Sequence, residues 1–211
     1  MIVSTGNLIG FGAVALGMAL TPGPNMIYLV SRSIVQGRKA GLISLCGVIA
    51  AFIILMLAAA LGLTALLMAL PLAYDVIRLA GAAYLLWLAW QSIRPGGASP
   101  FSVRPLRPDT PRRLFAMGFL TNILNPKAVV LYLSLLPQFI DARAGNIFGQ
   151  SITLCLVQMG LSASVNAMMV MAAGSIAAFL AERPTWAMVQ RWVMATVLGG
   201  LAVRMALDSR R

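Results

Sequence analysis

Six long apolar runs are separated by short polar stretches, near residues 7–31, 41–68, 76–93, 114–138, 147–180 and 187–207. A helix needs about 20 apolar residues to cross the hydrocarbon core of a bilayer. The pattern therefore predicts an all-α, polytopic membrane protein with six transmembrane helices. The fifth run is longer than a span requires, so part of it tilts or lies outside the core.

Residues 94–113 read RPGGASPFSVRPLRPDTPRR. Proline density rules out a regular helix there, and the composition is that of a linker. The linker divides the chain into a first three-helix half, 1–93, and a second, 114–211, within one transmembrane domain.

Sliding the chain by 104 residues places Leu20, Pro22, Tyr28, Leu29, Ala40, Gly41 and Ile43 on Leu124, Pro126, Tyr132, Leu133, Ala144, Gly145 and Ile147. Chance would give roughly two identities over this stretch, so the match suggests an internal repeat. Each half holds an odd number of helices, so the halves insert with opposite orientation. An inverted 3+3 repeat is a transporter signature.

Composition agrees with a bilayer as solvent. Of 211 residues, 60% are hydrophobic and 10% charged, and mean hydropathy is +0.90. A soluble domain carries roughly a quarter charged residues. The net charge of +11 comes mainly from basic residues between the apolar runs, without the interleaved aromatics of a nucleic-acid surface. The first connector carries Arg32, Arg38 and Lys39, and the linker carries five arginines against Asp109. The second and fourth connectors are neutral: Asp75 with Arg78, then Asp141 with Arg143. Positive connectors face the cytoplasm, which puts both termini outside. The basic Arg204, Arg210 and Arg211 argue the other way. No charged residue precedes Arg32, so the first run lacks the basic start of a signal peptide and is read as a retained helix.

Histidine is absent, which removes imidazole metal sites and histidine-based triads. No phosphate-binding GxxxxGK[ST] loop occurs. The chain reads as a non-enzyme with no cofactor and no metal. Cys46 and Cys155 sit within apolar runs as small fillers. A thiol redox conduit built on them is the alternative function.

Two segments break otherwise continuous runs at matched repeat positions. They are Thr21-Pro22-Gly23-Pro24-Asn25 and Asn122-Ile123-Leu124-Asn125-Pro126-Lys127. Within lipid, broken backbone survives only where it is buried in protein or lines a cavity. The first and fourth helices are thus expected to break at a shared midplane site. Lys127 is an ionisable residue deep in a run. Its ammonium can hold a solute carboxylate, cap the broken helix through freed carbonyls, or snorkel. Gln158, Ser162 and Asn166 are spaced i, i+4, i+8 on one helix face. They line a cavity or bond neighbouring helices. Gly81, Gly199 and Gly200 read as close-packing positions.

These motifs resemble the lysine exporter and homoserine/threonine exporter (LysE/RhtB) family along essentially the whole chain. The carrying residues are Thr21-Pro22-Gly23-Pro24, Gly37-Arg38-Lys39-Ala40-Gly41, Ala80-Gly81-Ala82-Ala83-Tyr84-Leu85 and Gly118-Phe119-Leu120-Thr121-Asn122-Ile123-Leu124-Asn125-Pro126-Lys127. Leu136-Pro137-Gln138-Phe139 continues the match. The resemblance implies efflux of an amino acid or close relative across the bacterial inner membrane. It implies coupling to an ion gradient, usually protons, and a transport core formed by the two breaks. Homo-oligomerisation is left open. Many members carry an acid in the second helix where this chain has Ala51 and Phe52. That leaves no mid-membrane carboxylate there for a cationic side chain or a proton relay.

The charge pattern predicts a cytoplasmic linker. Ser99→Cys in a Cys-free background should resist an impermeant thiol reagent added outside intact cells. Labelling from outside would invert the topology.

Overall fold

The computed structural model describes residues 2–21, 23–69, 71–94, 108–182 and 184–207. Pro22, most of the linker, Arg183 and the C-terminal Arg210 and Arg211 lie outside these residues. Eight α-helices carry the described chain: α1 (Thr5–Leu20), α2 (Pro24–Gln36), α3 (Arg38–Ala69), α4 (Pro71–Ile93), α5 (Pro111–Ile123), α6 (Pro126–Val130), α7 (Ile147–Glu182) and α8 (Pro184–Leu207). No strand occurs among the described residues.

The apolar runs map closely onto these helices. The first run splits into α1 and α2, whose axes bend by 52°, and the fourth splits after α5 with a bend of 47°. Within α3 and α7, Arg38–Gly62 and Ile147–Ser175 are each long and apolar enough to cross a membrane. Each bent pair also qualifies when counted as one span. The helices α4 and α8 have 23 and 24 residues, about 35 Å each at 1.5 Å per residue.

Local chemistry sets the boundaries. Ser4 caps α1 by accepting the Asn7 backbone N–H at 3.2 Å. Gly37 ends α2 at φ +87°, where a side chain would strain the backbone. Thr110 caps α5 and Pro111 takes its first position, where a missing N–H costs nothing. The helix thus begins inside the stretch that sequence assigned wholly to linker. A proline that interrupts a helix interior is the natural start of one.

The second broken run continues irregularly. After α6 come a π-helical stretch, Leu131–Leu135, and a 3-10 turn, Leu136–Phe139. Pro137 cannot donate to the Leu133 carbonyl, so regular α-geometry cannot run through this point. Phe139 closes the stretch with its ring edge-on to Phe11 of α1, centroids 5.4 Å apart. The turn into α7 is tied by Gln150, which accepts the Asp141 N–H at 2.9 Å and donates to the Asp141 and Gly145 carbonyls.

Packing is closest where α3 crosses α5. A Cβ on Gly47 would strike the Phe115 carbonyl, and one on Gly118 would strike the Ser44 carbonyl. Each helix therefore presents a glycine to the other's backbone. A Cβ on Gly41 would likewise collide with the Ser33 hydroxyl and with Val170 of α7. By contrast, no described residue lies within 4 Å of a Cβ added to Gly199 or Gly200. The close-packing role read for those two is corrected: they face open space, and the tight contacts belong to Gly47 and Gly118. Elsewhere α1 packs on α7 and α4 on α8. Ala82, Leu85 and Ala89 of α4 and Leu198 and Ala202 of α8 are buried in one core cluster. The outer surface stays apolar, with Ile54, Trp87, Trp90, Trp192 and Val203 exposed. Lipid, not water, suits such a surface.

The end of α2 is strapped to the segment entering α5. Arg32 pairs with Asp109, and Arg113 reaches the same carboxylate at 3.2 Å. The Gln36 amide grips the Asp109 backbone from both sides, donating at 2.6 Å and accepting at 2.9 Å.

Gly47→Ala should lower thermal stability in detergent by about 1–3 kcal/mol through overpacking against α5. Gly62→Ala, on the same helix with no described residue near its Cβ, should stay within about 0.5 kcal/mol of the parent. Equal melting curves for the two variants would dissolve the tight crossing.

Candidate functional site

Proline creates the site by removing hydrogen-bond donors. In a continuous α-helix the Met18 carbonyl would accept from the backbone N–H of residue 22. Residue 22 is proline and has none. Thr21 holds the preceding turn, its N–H and hydroxyl both donating to the Gly17 carbonyl at 3.1 and 2.8 Å. The Met18 and Thr21 carbonyls then point past the helix end. Lys127 answers both, its Nζ donating to each at 2.7 Å.

The second break repeats the problem at the same offset. Pro126 cannot serve the Asn122 carbonyl. The Asn125 N–H takes that role at 3.0 Å in a tighter turn. The Asn125 side chain then caps α6 by accepting the Lys127 backbone N–H at 3.1 Å. Gly23 lies beside the lysine: a Cβ there would meet Nζ at 3.5 Å, an ordinary van der Waals contact.

Between the breaks lies a cavity of about 40 Å³, room for on the order of three water molecules. Asn25, Asn122, Asn125, Lys127, Gln158, Ser162 and Asn166 all line it. These are the polar residues expected from sequence, now drawn from α2, α5, the α6 start and α7 into one place. Thr21 contributes its carbonyl through Lys127. Pro24 opens α2 after Gly23, and Pro126 opens α6. Pro22 lies outside the described residues. Among the lining residues Lys127 is the one with formal charge.

The α7 triplet is internally wired. Gln158 donates to the Ser162 hydroxyl at 2.9 Å, and Asn166 donates to the Ser162 carbonyl at 2.8 Å. The shared face is real, and part of its polarity is spent within the helix. The Tyr132 hydroxyl donates to Gln158 Oε1 at 2.5 Å. Tyr132 was legible only as a repeat identity with Tyr28, whose hydroxyl donates instead to the Leu114 carbonyl at 3.3 Å. The apolar wall of Met18, Met26, Phe52 and Leu131 was also missed as lining. Its one signal was Phe52 at the position where an acid was expected.

Two acceptors stay uncommitted. Among the described residues, Asn25 Oδ1 and Asn122 Oδ1 are buried without a hydrogen-bond partner, although Asn122 Nδ2 donates to the Val48 carbonyl at 3.2 Å.

Comparison with known proteins decides the family. The profile of LysE type translocators matches residues 16–209. The chain belongs to the LysE type translocator family. It is thus a multi-pass membrane transporter, not an enzyme. Among curated relatives it is 27% identical over 202 residues to a leucine efflux protein of Enterobacter sp. (strain 638), covering 91% of each chain. It is 27% identical over 205 residues to a leucine efflux protein of Klebsiella pneumoniae subsp. pneumoniae, covering 95% of this chain and 94% of that one. A leucine efflux protein of Salmonella typhimurium is 32% identical over 135 residues, 62% of this chain and 61% of its own. No solved structure matches. Nothing in the family or its relatives supports a redox conduit; Cys46 is exposed and Cys155 buried, both as free thiols.

Lys127→Met should both melt earlier and transport poorly. It orphans two carbonyls, at a cost of about 1.5–3 kcal/mol for a charge-assisted hydrogen bond. Lys127→Arg should recover part of the melting temperature only, because its planar donors are differently placed. A Lys127→Met melt matching the parent would show that the carbonyls do not depend on the ammonium.

Proposed function

We propose that this translocator is a secondary active exporter of amino acids with apolar side chains, resident in the bacterial cytoplasmic membrane and driven by the proton-motive force. The observation that carries the reading is the convergence of both helix breaks, Lys127 and the buried amides on one cavity. Relatives named for leucine efflux support the solute class. The Met18, Met26, Phe52 and Leu131 wall supplies matching apolar surface, and no acid stands among the described lining residues to favour a cationic side chain.

In this reading the six apolar runs are six spans in an inverted 3+3 repeat. The packing supports it. Exchanging the halves turns α3 on α5 into α7 on α1, and α4 on α8 into itself, and all three packings occur. The solute carboxylate meets the Lys127 ammonium, whose third proton is not needed by the two carbonyls. Rocking of one half against the other then exposes the fixed site to each side in turn. The cavity is small, so solute entry parts its walls and displaces water.

Efflux from loaded cells across a panel of amino acids tests this. Leucine and similar solutes should leave faster than in cells lacking the protein, and an uncoupler should abolish their export against a gradient. Export untouched by the uncoupler would remove proton coupling. A panel in which only basic amino acids moved would remove the apolar solute class.

A further inference from the structure

We propose that the side-chain oxygens of Asn25 and Asn122 seat the α-ammonium group of the solute, so that the site demands a zwitterion. The proposal rests on the amino-acid export reading above and sharpens it. Asn25 lies in the first turn of α2 just after the first break, and Asn122 in the last turn of α5 just before the second. They are 6% and 1% exposed and line the same cavity. Both oxygens are buried without a partner among the described residues. A buried acceptor left unpaired is costly, and a bound donor removes that cost. The neighbouring amides are already committed: Asn125 to the Lys127 backbone, and Gln158 to Tyr132 and Ser162.

Charge selects the donor. Among the described lining residues Lys127 is the one formal charge, so a bare cation entering beside it meets repulsion. A zwitterion brings its own carboxylate to that ammonium. Its three ammonium donors can then serve two neutral oxygens. An amine lacking the carboxylate is repelled by Lys127. An acid lacking the ammonium leaves both oxygens unpaired. The site should therefore discriminate on the polar end of the solute, apart from any selection by the apolar wall.

Counterflow of labelled leucine in proteoliposomes tests the seat, with two competitors. One is 4-methylpentanoate, which lacks the ammonium; the other is 3-methylbutylamine, which lacks the carboxylate. Against the parent, both should compete at least about tenfold worse than leucine, the scale of one charge-assisted hydrogen bond. Asn25→Leu gives up no hydrogen bond that this residue makes within the fold. It should weaken leucine by roughly ten- to a hundredfold while leaving 4-methylpentanoate unchanged, so their difference collapses. Asn25→Asp supplies a negative charge and should admit 3-methylbutylamine. Three results would overturn the assignment. One is Asn25→Leu weakening both solutes equally; another is Asn25→Leu keeping the parent's preference for leucine. The third is a sodium requirement for counterflow that Asn25→Leu abolishes, which would give the oxygens to a metal ion. Failure of the unmodified protein to move any amino acid would overturn the export reading itself, and this seat with it.

Discussion

A carbonyl that loses its donor in a lipid-bounded protein must find another, and proline takes donors away at both helix breaks. At the first break, Lys127 reaches from the other half of the chain to the Met18 and Thr21 carbonyls. At the second, the backbone tightens so that Asn125 serves Asn122. The two solutions are not equivalent. One is local. The other binds a residue of the second half to the end of α1, so the break that opens the first span also holds the halves together.

Around that junction the structure combines rigid and adaptable contacts. Gly47 and Gly118 bring α3 and α5 together backbone to backbone, which leaves little freedom where they cross. The cavity beside them is walled by methionines and by amides not fully paired. Methionine adapts to irregular volumes. Polar groups with spare capacity gain by closing on a solute. The arrangement places a stiff scaffold next to a responsive interior.

Much of this was legible in the sequence because the bilayer leaves few choices. Apolar runs marked the helices to within a few residues, and the prolines at 22 and 126 marked the breaks. The polar residues Asn25, Asn122, Asn125, Lys127, Gln158, Ser162 and Asn166 were identified because buried polarity is expensive and rarely accidental. What the sequence left open was partnership. Lys127 carried three readings, and only the fold shows its ammonium on two carbonyls more than a hundred residues away. Gly199 and Gly200 looked like a packing motif, yet they face open space, because a glycine's use depends on which side of the helix meets a neighbour. Phe52 was marked only as the place of an absent acid, and Tyr132 only as a repeat identity. Phe52 lines the cavity from α3, and Tyr132 reaches the lining Gln158 from the π-helical stretch, neither of which a hydropathy pattern can express.

The bond between Lys127 and α1 also has a schedule. It joins residues 109 positions apart. At the roughly 5–20 residues per second of protein synthesis, the α1 end leaves the ribosome about 5–20 seconds before its cap exists. Through that interval the Met18 and Thr21 carbonyls depend on water or on the insertion machinery. A nascent chain that stalls in the linker keeps them uncapped for good. A prematurely terminated first half would therefore carry a persistent polar wound in its first span, a mark by which membrane proteases could tell an unfinished chain from a finished one.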